Sequence, residues 1–70
     1  MGELLGVTVN GVRSSVSPSA TIQEIVDGLA TTSRGIAVAL DGEIIPRSQW
    51  AATSVGDGAV IEIVTAAAGG

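Results

Sequence analysis

One segment with the periodicity of a helix lies between segments with the periodicity of strands, and this arrangement leaves the chain few possible folds. The apolar side chains of the helical segment fall on one face, at i, i+3, i+4 and i+7: Ile22, Ile25, Val26 and Leu29. A single apolar stripe of this kind must be buried against a sheet built from the flanking strands. The sequence therefore predicts an α+β domain in which one helix packs across one face of one sheet.

Turn signals mark where the strands begin and end. Asn10-Gly11 and Asp41-Gly42 each separate two apolar runs, and such dipeptides favour two-residue hairpin turns because Asn, Asp and Gly tolerate positive φ. Pro46 ends the fourth run, since proline donates no hydrogen bond to a strand ladder. The predicted strands are residues 5–9, 12–16, 35–40, 43–45 and 59–65.

Local motifs predict the start of the helix and one end of the core. Thr21 and Glu24 have the spacing of a capping box, and Gly28 weakens the last turn, so the helix should end near residue 29 or 30. Trp50 is the only aromatic residue, and we expect it to close one end of an otherwise aliphatic core. Asp57 stands between two glycines and is expected to form a turn through its side-chain oxygen.

Length and composition limit the chain to one small domain. Seventy residues suffice for a single core, and without cysteine no disulfide supports it. We assign residues 1–65 to this domain and residues 66–70 to a flexible C-terminal tail, because Ala and Gly bury too little apolar area to offset the entropy of ordering. We find no basic, apolar leader and no run of roughly 20 apolar residues, so we expect a cytoplasmic protein without a membrane partner.

The same composition excludes most chemistry. The chain has no His, Cys or Tyr, and its basic residues are Arg13, Arg34 and Arg47. It therefore lacks the usual bases, thiolates and amines of neutral pH, and we expect it not to be an enzyme. The acidic residues lack the spacing of metal ligands, and a net charge of −4 disfavours nucleic acid, so neither a metal site nor a nucleic-acid partner is predicted.

A docking surface is expected on the side of the sheet that the helix leaves open. Val60 and Val64 would lie there in the last strand, and exposed apolar patches usually mark interaction sites. A shift of the strand register by one residue would place Ile61 and Ile63 there instead. Arg47 is a further docking candidate, although an arginine beside a proline more often pairs with a local acceptor.

The last residues are the best candidates for chemistry. Gly69-Gly70 follows Ala68, so an unhindered carboxylate would end a segment without large side chains. Such a tail could thread into a narrow passage of a partner enzyme, where ATP would activate the carboxylate, because glycine tolerates φ of either sign. An inert, frayed end with small residues is the alternative.

At this point the sequence resembles a known family, the ThiS sulfur carriers of thiamine biosynthesis. The resemblance rests on Pro46-Arg47 with Trp50, on the turn Val55-Gly56-Asp57-Gly58, on the final apolar strand and on Gly69-Gly70. It implies a ubiquitin-like β-grasp fold, with a mixed sheet of four to five strands and one helix across one face.

The resemblance also implies a function. An ATP-dependent E1-like adenylyltransferase would adenylate Gly70, a sulfur donor protein would supply the sulfur of a thiocarboxylate, and thiazole synthase would take that sulfur into the thiazole ring. Gly69 and Ala68 would thread the tail into the partner. The chain would be a co-substrate with no bound cofactor, and ATP would be used by the activating enzyme.

Three other functions stay open at the level of sequence. The sulfur carrier of molybdopterin synthase is similar in fold and in its terminal Gly-Gly, but it lacks the Pro-Arg-x-x-Trp pattern. A ubiquitin-like protein modifier would join Gly70 to a lysine of another protein. A plain interaction module would use its folded surface and leave the tail inert.

Overall fold

The structure, a computed structural model, describes residues 3–29 and 35–65. The strands are β1 (Leu5–Val9), β2 (Val12–Val16), β3 (Ile36–Leu40), β4 (Glu43–Ile45) and β5 (Val60–Thr65). One α-helix, α1 (Ile22–Leu29), follows β2, and one 3₁₀ helix (Arg47–Ala52) follows β4. The predicted strands thus agree with the structure to within one residue at each end. The predicted tail, residues 66–70, lies outside the described residues.

The strands form one mixed sheet with the order β2-β1-β5-β3-β4. The pairs β1–β2, β3–β4 and β3–β5 are antiparallel, whereas β1 and β5 are parallel. The last strand therefore occupies the centre of the sheet. A mixed five-stranded sheet with one helix is the architecture that the sequence predicted.

Both hairpins have the turn geometry that their dipeptides predicted. Asn10 and Gly11 have φ of 51° and 82°, and Asp41 and Gly42 have φ of 52° and 86°. Two consecutive positive values are typical of a type I′ turn, whose twist matches that of the flanking strands. The turns pair Val9 with Val12 and Leu40 with Glu43.

A reciprocal capping box begins α1. The Glu24 N–H donates to Thr21 Oγ1 over 3.3 Å, and the Thr21 N–H donates to Glu24 Oε1 over 3.1 Å. These bonds satisfy amide groups that have no partner inside the helix. The sequence prediction of the helix start is therefore confirmed.

The predicted apolar stripe of α1 is buried except at its last residue. The buried members are Ile22, Ile25 and Val26. Leu29 is 63% exposed, so its assignment to the core was wrong. It stands in the last turn and borders a groove of about 310 Å³ between α1 and β2, which none of the described elements fills.

The core lies between α1, the 3₁₀ helix and one face of the sheet. Its buried residues are aliphatic apart from one tryptophan: Val7, Val9, Ala20, Ile22, Ile25, Val26, Val38, Trp50, Val55, Ala59 and Ile61. Trp50 is 1% exposed, and its Nε1 donates to the Ile45 carbonyl over 2.9 Å. The indole therefore closes the core as predicted, with its polar atom paired. Within the described residues, no helix has the length and apolar character needed to cross a membrane.

Candidate functional site

The candidate carrier segment begins where β5 ends. Ala68, Gly69 and Gly70, the residues predicted to thread and to carry the reactive carboxylate, lie outside the described residues. Thr65 is the last residue of β5 and pairs with Ile36 of β3. We call the end of β5, residues 63–65, the root of the tail. The roles of the three terminal residues stay predictions.

The root of the tail is bound on its two sides by different means. Every residue of β3 pairs with a residue of β5, from Leu40 opposite Ile61 to Ile36 opposite Thr65. β1 reaches only to Val9, which pairs with Ile61. The second half of β5 therefore has a neighbouring strand on one side only.

The side chain of Asn10 takes the place of the missing strand residue. Its Oδ1 accepts the Ile63 N–H over 2.7 Å, and its Nδ2 donates to the Ile63 carbonyl over 3.1 Å. The Asn10 N–H also donates to the Ile61 carbonyl over 2.9 Å. A turn residue thus continues the ladder between β1 and β5 by one further position.

A second turn residue binds the other end of β5. Asp41 Oδ1 accepts the Val60 N–H over 2.9 Å, and the Asp41 N–H donates to the Val60 carbonyl over 2.7 Å. Asp41 resembles Asn10 in its positive φ and in the glycine that follows it. The two hairpin turns therefore hold β5 at its first residue and near its last.

The face of the sheet turned away from α1 carries an apolar surface. Val60 and Val64 are 45% and 58% exposed, whereas Ile61 is fully buried. The strand register thus agrees with the predicted outward orientation of the two valines and excludes the shifted alternative. The exposure of the two valines does not test whether they bind a partner, so their docking role stays a prediction.

Strand pairing defines the neighbours of these valines. Directly paired residues share a face of a sheet. Val64 pairs with Ala37, and Glu62 pairs with Ala39, which also pairs with Ile44 of β4. We call this surface the open face: Ala37, Ala39, Ile44, Val60, Glu62 and Val64.

The sequence analysis missed Ile44 as part of this surface. Ile44 is 67% exposed, more than either predicted valine. A signal was available, because a two-residue turn at Asp41-Gly42 pairs Leu40 with Glu43 and therefore Ala39 with Ile44. Since Ala39 lies on the open face, Ile44, its direct partner, lies there too.

Charged groups lie within and beside the open face. Glu62 stands between Val60 and Val64 and is exposed. Thr8, which pairs with Val60, pairs on its other side with Arg13. An apolar surface with one central carboxylate and a bordering arginine favours a partner with apolar residues and complementary charges.

Arg47 lies apart from the two docking valines. Its guanidinium carbon is 5.8 Å from the centre of the Trp50 ring, within the range of a cation–π contact. Trp50 belongs to the core on the helix side of the sheet, whereas Val60 and Val64 lie on the other side. The structure therefore does not join the three predicted docking residues into one surface, and a docking role for Arg47 stays a prediction.

No metal centre is evident in the part of the chain that the structure describes. Among residues 3–29 and 35–65, no three acidic side chains come together as ligands of a metal ion would.

Comparisons with known proteins decide the family. A model of the ThiS family matches residues 5–70, nearly the whole chain. The chain belongs to the ThiS family. The crystal structure of a thiamine biosynthesis protein (ThiS) from Geobacter metallireducens is 32% identical and superposes with a TM-score of 0.81, covering 94% of this chain and all of that one.

A longer protein also resembles this ThiS-family chain. A thiazole synthase from Paramagnetospirillum magneticum is 36% identical over 64 residues, which cover 91% of this chain and 20% of that protein. The chain thus spans about a fifth of the length of this curated relative. The predicted resemblance to the ThiS family and the ubiquitin-like β-grasp fold are both confirmed.

Proposed function

We propose that this chain carries sulfur for thiazole formation as a thiocarboxylate on Gly70. The observation that supports this most is the extent of the family match, which runs through Gly69 and Gly70. The sequence has no cysteine, histidine or lysine, so carboxylates are its candidate carrier groups. Among them, the Gly70 carboxylate stands at the end of a segment without large side chains, which suits it to enter the active site of an activating enzyme.

Activation is needed because a carboxylate is a poor electrophile. A carboxylate oxygen of Gly70 attacks the α-phosphate of ATP, so that an acyl-adenylate forms and pyrophosphate leaves. A hydrosulfide ion, HS⁻, delivered by a donor protein then attacks the acyl carbon, AMP departs with the electrons of the broken C–O bond, and the proton of the sulfur passes to water. The product is the thiocarboxylate. In this proposal an E1-like adenylyltransferase binds the ATP, and the chain is a co-substrate without a cofactor. The reaction takes place in the cytoplasm, where ATP is present.

Gly69 and Ala68 suit the passage that such an enzyme requires. Glycine has no Cβ and alanine has a single methyl group, so the segment fits where larger side chains would clash. In this proposal the folded domain stays outside the partner and the last residues reach the bound ATP.

Thiazole synthase is the proposed acceptor of the sulfur. A segment similar to this chain occupies a fifth of a protein that is itself named thiazole synthase. Joining two domains in one polypeptide raises their effective concentration, which favours pairs that act on one another. This supports a functional pairing of the carrier with thiazole synthase when the two are separate chains.

The open face is the proposed docking surface for both partners. It lies on the central strand that leads directly into the tail, and three of its side chains, Ile44, Val60 and Val64, are large, apolar and exposed. Most of the binding free energy should come from this ordered surface, because ordering the tail costs entropy.

Intact-mass spectrometry tests the chemistry directly. The purified chain is incubated with the adenylyltransferase, ATP and a sulfide source, and it should gain the mass difference between one oxygen and one sulfur. Trypsin then cuts last after Arg47, since Arg34 and Arg47 are the final basic residues, so the gain should be confined to the peptide 48–70. Without sulfide, the AMP adduct should accumulate instead.

A chain that ends at Gly69 is the matched control, and it should form neither product. Sulfur exchange in this truncated chain would contradict the assignment to Gly70. Conjugates of higher mass on lysines of other proteins would instead indicate a protein modifier, and sulfur transfer only to molybdopterin synthase would indicate the carrier of that enzyme.

A further inference from the structure

At the root of the tail, one polar side chain, that of Asn10, makes the hydrogen bonds on the side that faces β1. β1 ends at Val9, and its last strand pair with β5 is Val9 with Ile61. Along β5, the N–H groups of alternate residues point to opposite neighbours. The Ile61 and Ile63 polar groups face the β1 side, where the Asn10 backbone and side chain meet them in turn.

The Asn10 carboxamide acts as a peptide group would in this position. It offers one acceptor to the Ile63 N–H and one donor to the Ile63 carbonyl, at 2.7 and 3.1 Å. Among the neutral side chains, only Asn and Gln carry both groups on one planar amide. Asn also tolerates the φ of 51° that the turn imposes.

We infer that Asn10 is a positioning residue that fixes the point from which the tail leaves the sheet. This inference rests on the proposed function of Gly70. Ile63 stands two residues before Thr65, so a bond at Ile63 holds the end of β5 between β1 and β3. Without it, the end of the strand would be paired with β3 alone and would open more often, which would lengthen the connection between the paired part of β5 and Gly70 and lower the effective concentration of the Gly70 carboxylate at the partner.

Asp41 provides a matched control within the same fold. It occupies the first position of the other type I′ turn, has a φ of 52°, and binds the N–H and carbonyl of Val60. Val60 is the first residue of β5, at the end away from the tail. Asn10→Gly removes two side-chain bonds to β5, and Asp41→Gly removes one, because the bond from the Asp41 backbone N–H to the Val60 carbonyl is retained. Each variant leaves a residue that accepts positive φ.

Amide hydrogen exchange and adenylation kinetics are measured on both variants of the full chain. In Asn10→Gly, exchange at Ile63 should accelerate by roughly ten- to thirty-fold, as expected for the loss of two hydrogen bonds. The Val64 N–H faces β3, so its exchange should accelerate as well because the end of β5 opens as a unit. The KM for the carrier in adenylation should rise several-fold, whereas kcat should change little, because the carboxylate itself is unaltered. In Asp41→Gly, exchange should accelerate at Val60 but not at Val64, and the KM should stay within about twofold of the original value.

Asn10→Asp separates the two bonds of the carboxamide. Its carboxylate keeps the acceptor for the Ile63 N–H but sets a charged oxygen against the Ile63 carbonyl in place of the donor, so its exchange rates and KM should rise toward those of Asn10→Gly. A purely structural role would make KM follow thermal stability in all three variants.

Two results would overturn the inference. One is unchanged exchange at Val64 in Asn10→Gly, and the other is an equal rise of KM in Asp41→Gly at equal stability. If the original chain is not adenylated at all, the proposed function fails, and the exchange data alone decide whether Asn10 holds the end of β5.

Discussion

The carboxylate of Asp57 accepts a hydrogen bond from the backbone N–H of Gly6 over 2.8 Å, across 51 positions of the sequence. The Gly6 carbonyl in turn accepts the N–H of Gly58 over 2.6 Å. One turn before β5 therefore binds both polar groups of a single residue of β1. This contact joins the first and last strands ahead of their parallel pairing at Thr8 and Val60.

Replacing Asp57 tests the strength of this connection. Asp57→Ala should lower the free energy of unfolding by about 1–2 kcal/mol, because it removes a hydrogen bond to a charged acceptor. Asp57→Asn keeps an acceptor oxygen and should lose less. Urea denaturation measures both values, and equal stability of Asp57→Ala and the original chain would show that the bond contributes nothing.

Trp50 should be the most sensitive position of the core. Trp50→Ala removes a buried indole and is expected to cost about 3–5 kcal/mol, which approaches the whole stability of a small domain. Trp50→Phe keeps most of the packing but removes the indole N–H that donates to the Ile45 carbonyl, so a cost of about 1–3 kcal/mol is expected. Circular dichroism follows unfolding without the tryptophan, and a stable, fully folded Trp50→Ala would contradict the assignment of the indole as the closure of the core.

Two glycines should respond to alanine in opposite directions. Gly28 lies in α1, and among the described residues no atom beyond its own stretch of helix lies within 4 Å of the position that a Cβ would occupy, so Gly28→Ala should raise the free energy of unfolding by about 0.5–1 kcal/mol. Gly58 has equal space but a φ of 84°, so Gly58→Ala should lower it by about 1–2 kcal/mol. Thermal unfolding of both variants checks the signs, and a shift in the same direction would show that backbone conformation does not decide the effect.

Much of the fold could be predicted because its signals are local. Asn10-Gly11, Asp41-Gly42 and the capping box of Thr21 and Glu24 each specify a turn or a helix start within a few residues, and each is present as predicted. These signals also set strand registers, which is why Val60 was correctly placed on the exposed side.

The failures concern interactions between distant segments. The bonds from Asn10 to Ile63 and from Asp57 to Gly6 join residues more than fifty positions apart, so no sequence window contains both partners. Asn10 was read only as a turn residue, although its side chain also extends the ladder of β5. Leu29 fits the helical period, but the period cannot show that α1 leaves its last residue beside a groove that none of the described elements fills.

The open face provides the last prediction, which concerns partner binding. Val64→Glu and Ile44→Glu should each weaken binding to the adenylyltransferase by about ten-fold or more, because a buried, unpaired charge at an interface costs several kcal/mol. Both side chains are more than half exposed, so the thermal midpoint should change little. Ile61→Ala is the contrasting variant: it alters the buried side of the same strand and should cost about 2–5 kcal/mol of stability instead. Calorimetric titration and thermal unfolding separate the two effects. Unchanged affinity in both glutamate variants would exclude the open face as the docking surface and would favour docking on the helix side, where Arg47 contacts Trp50.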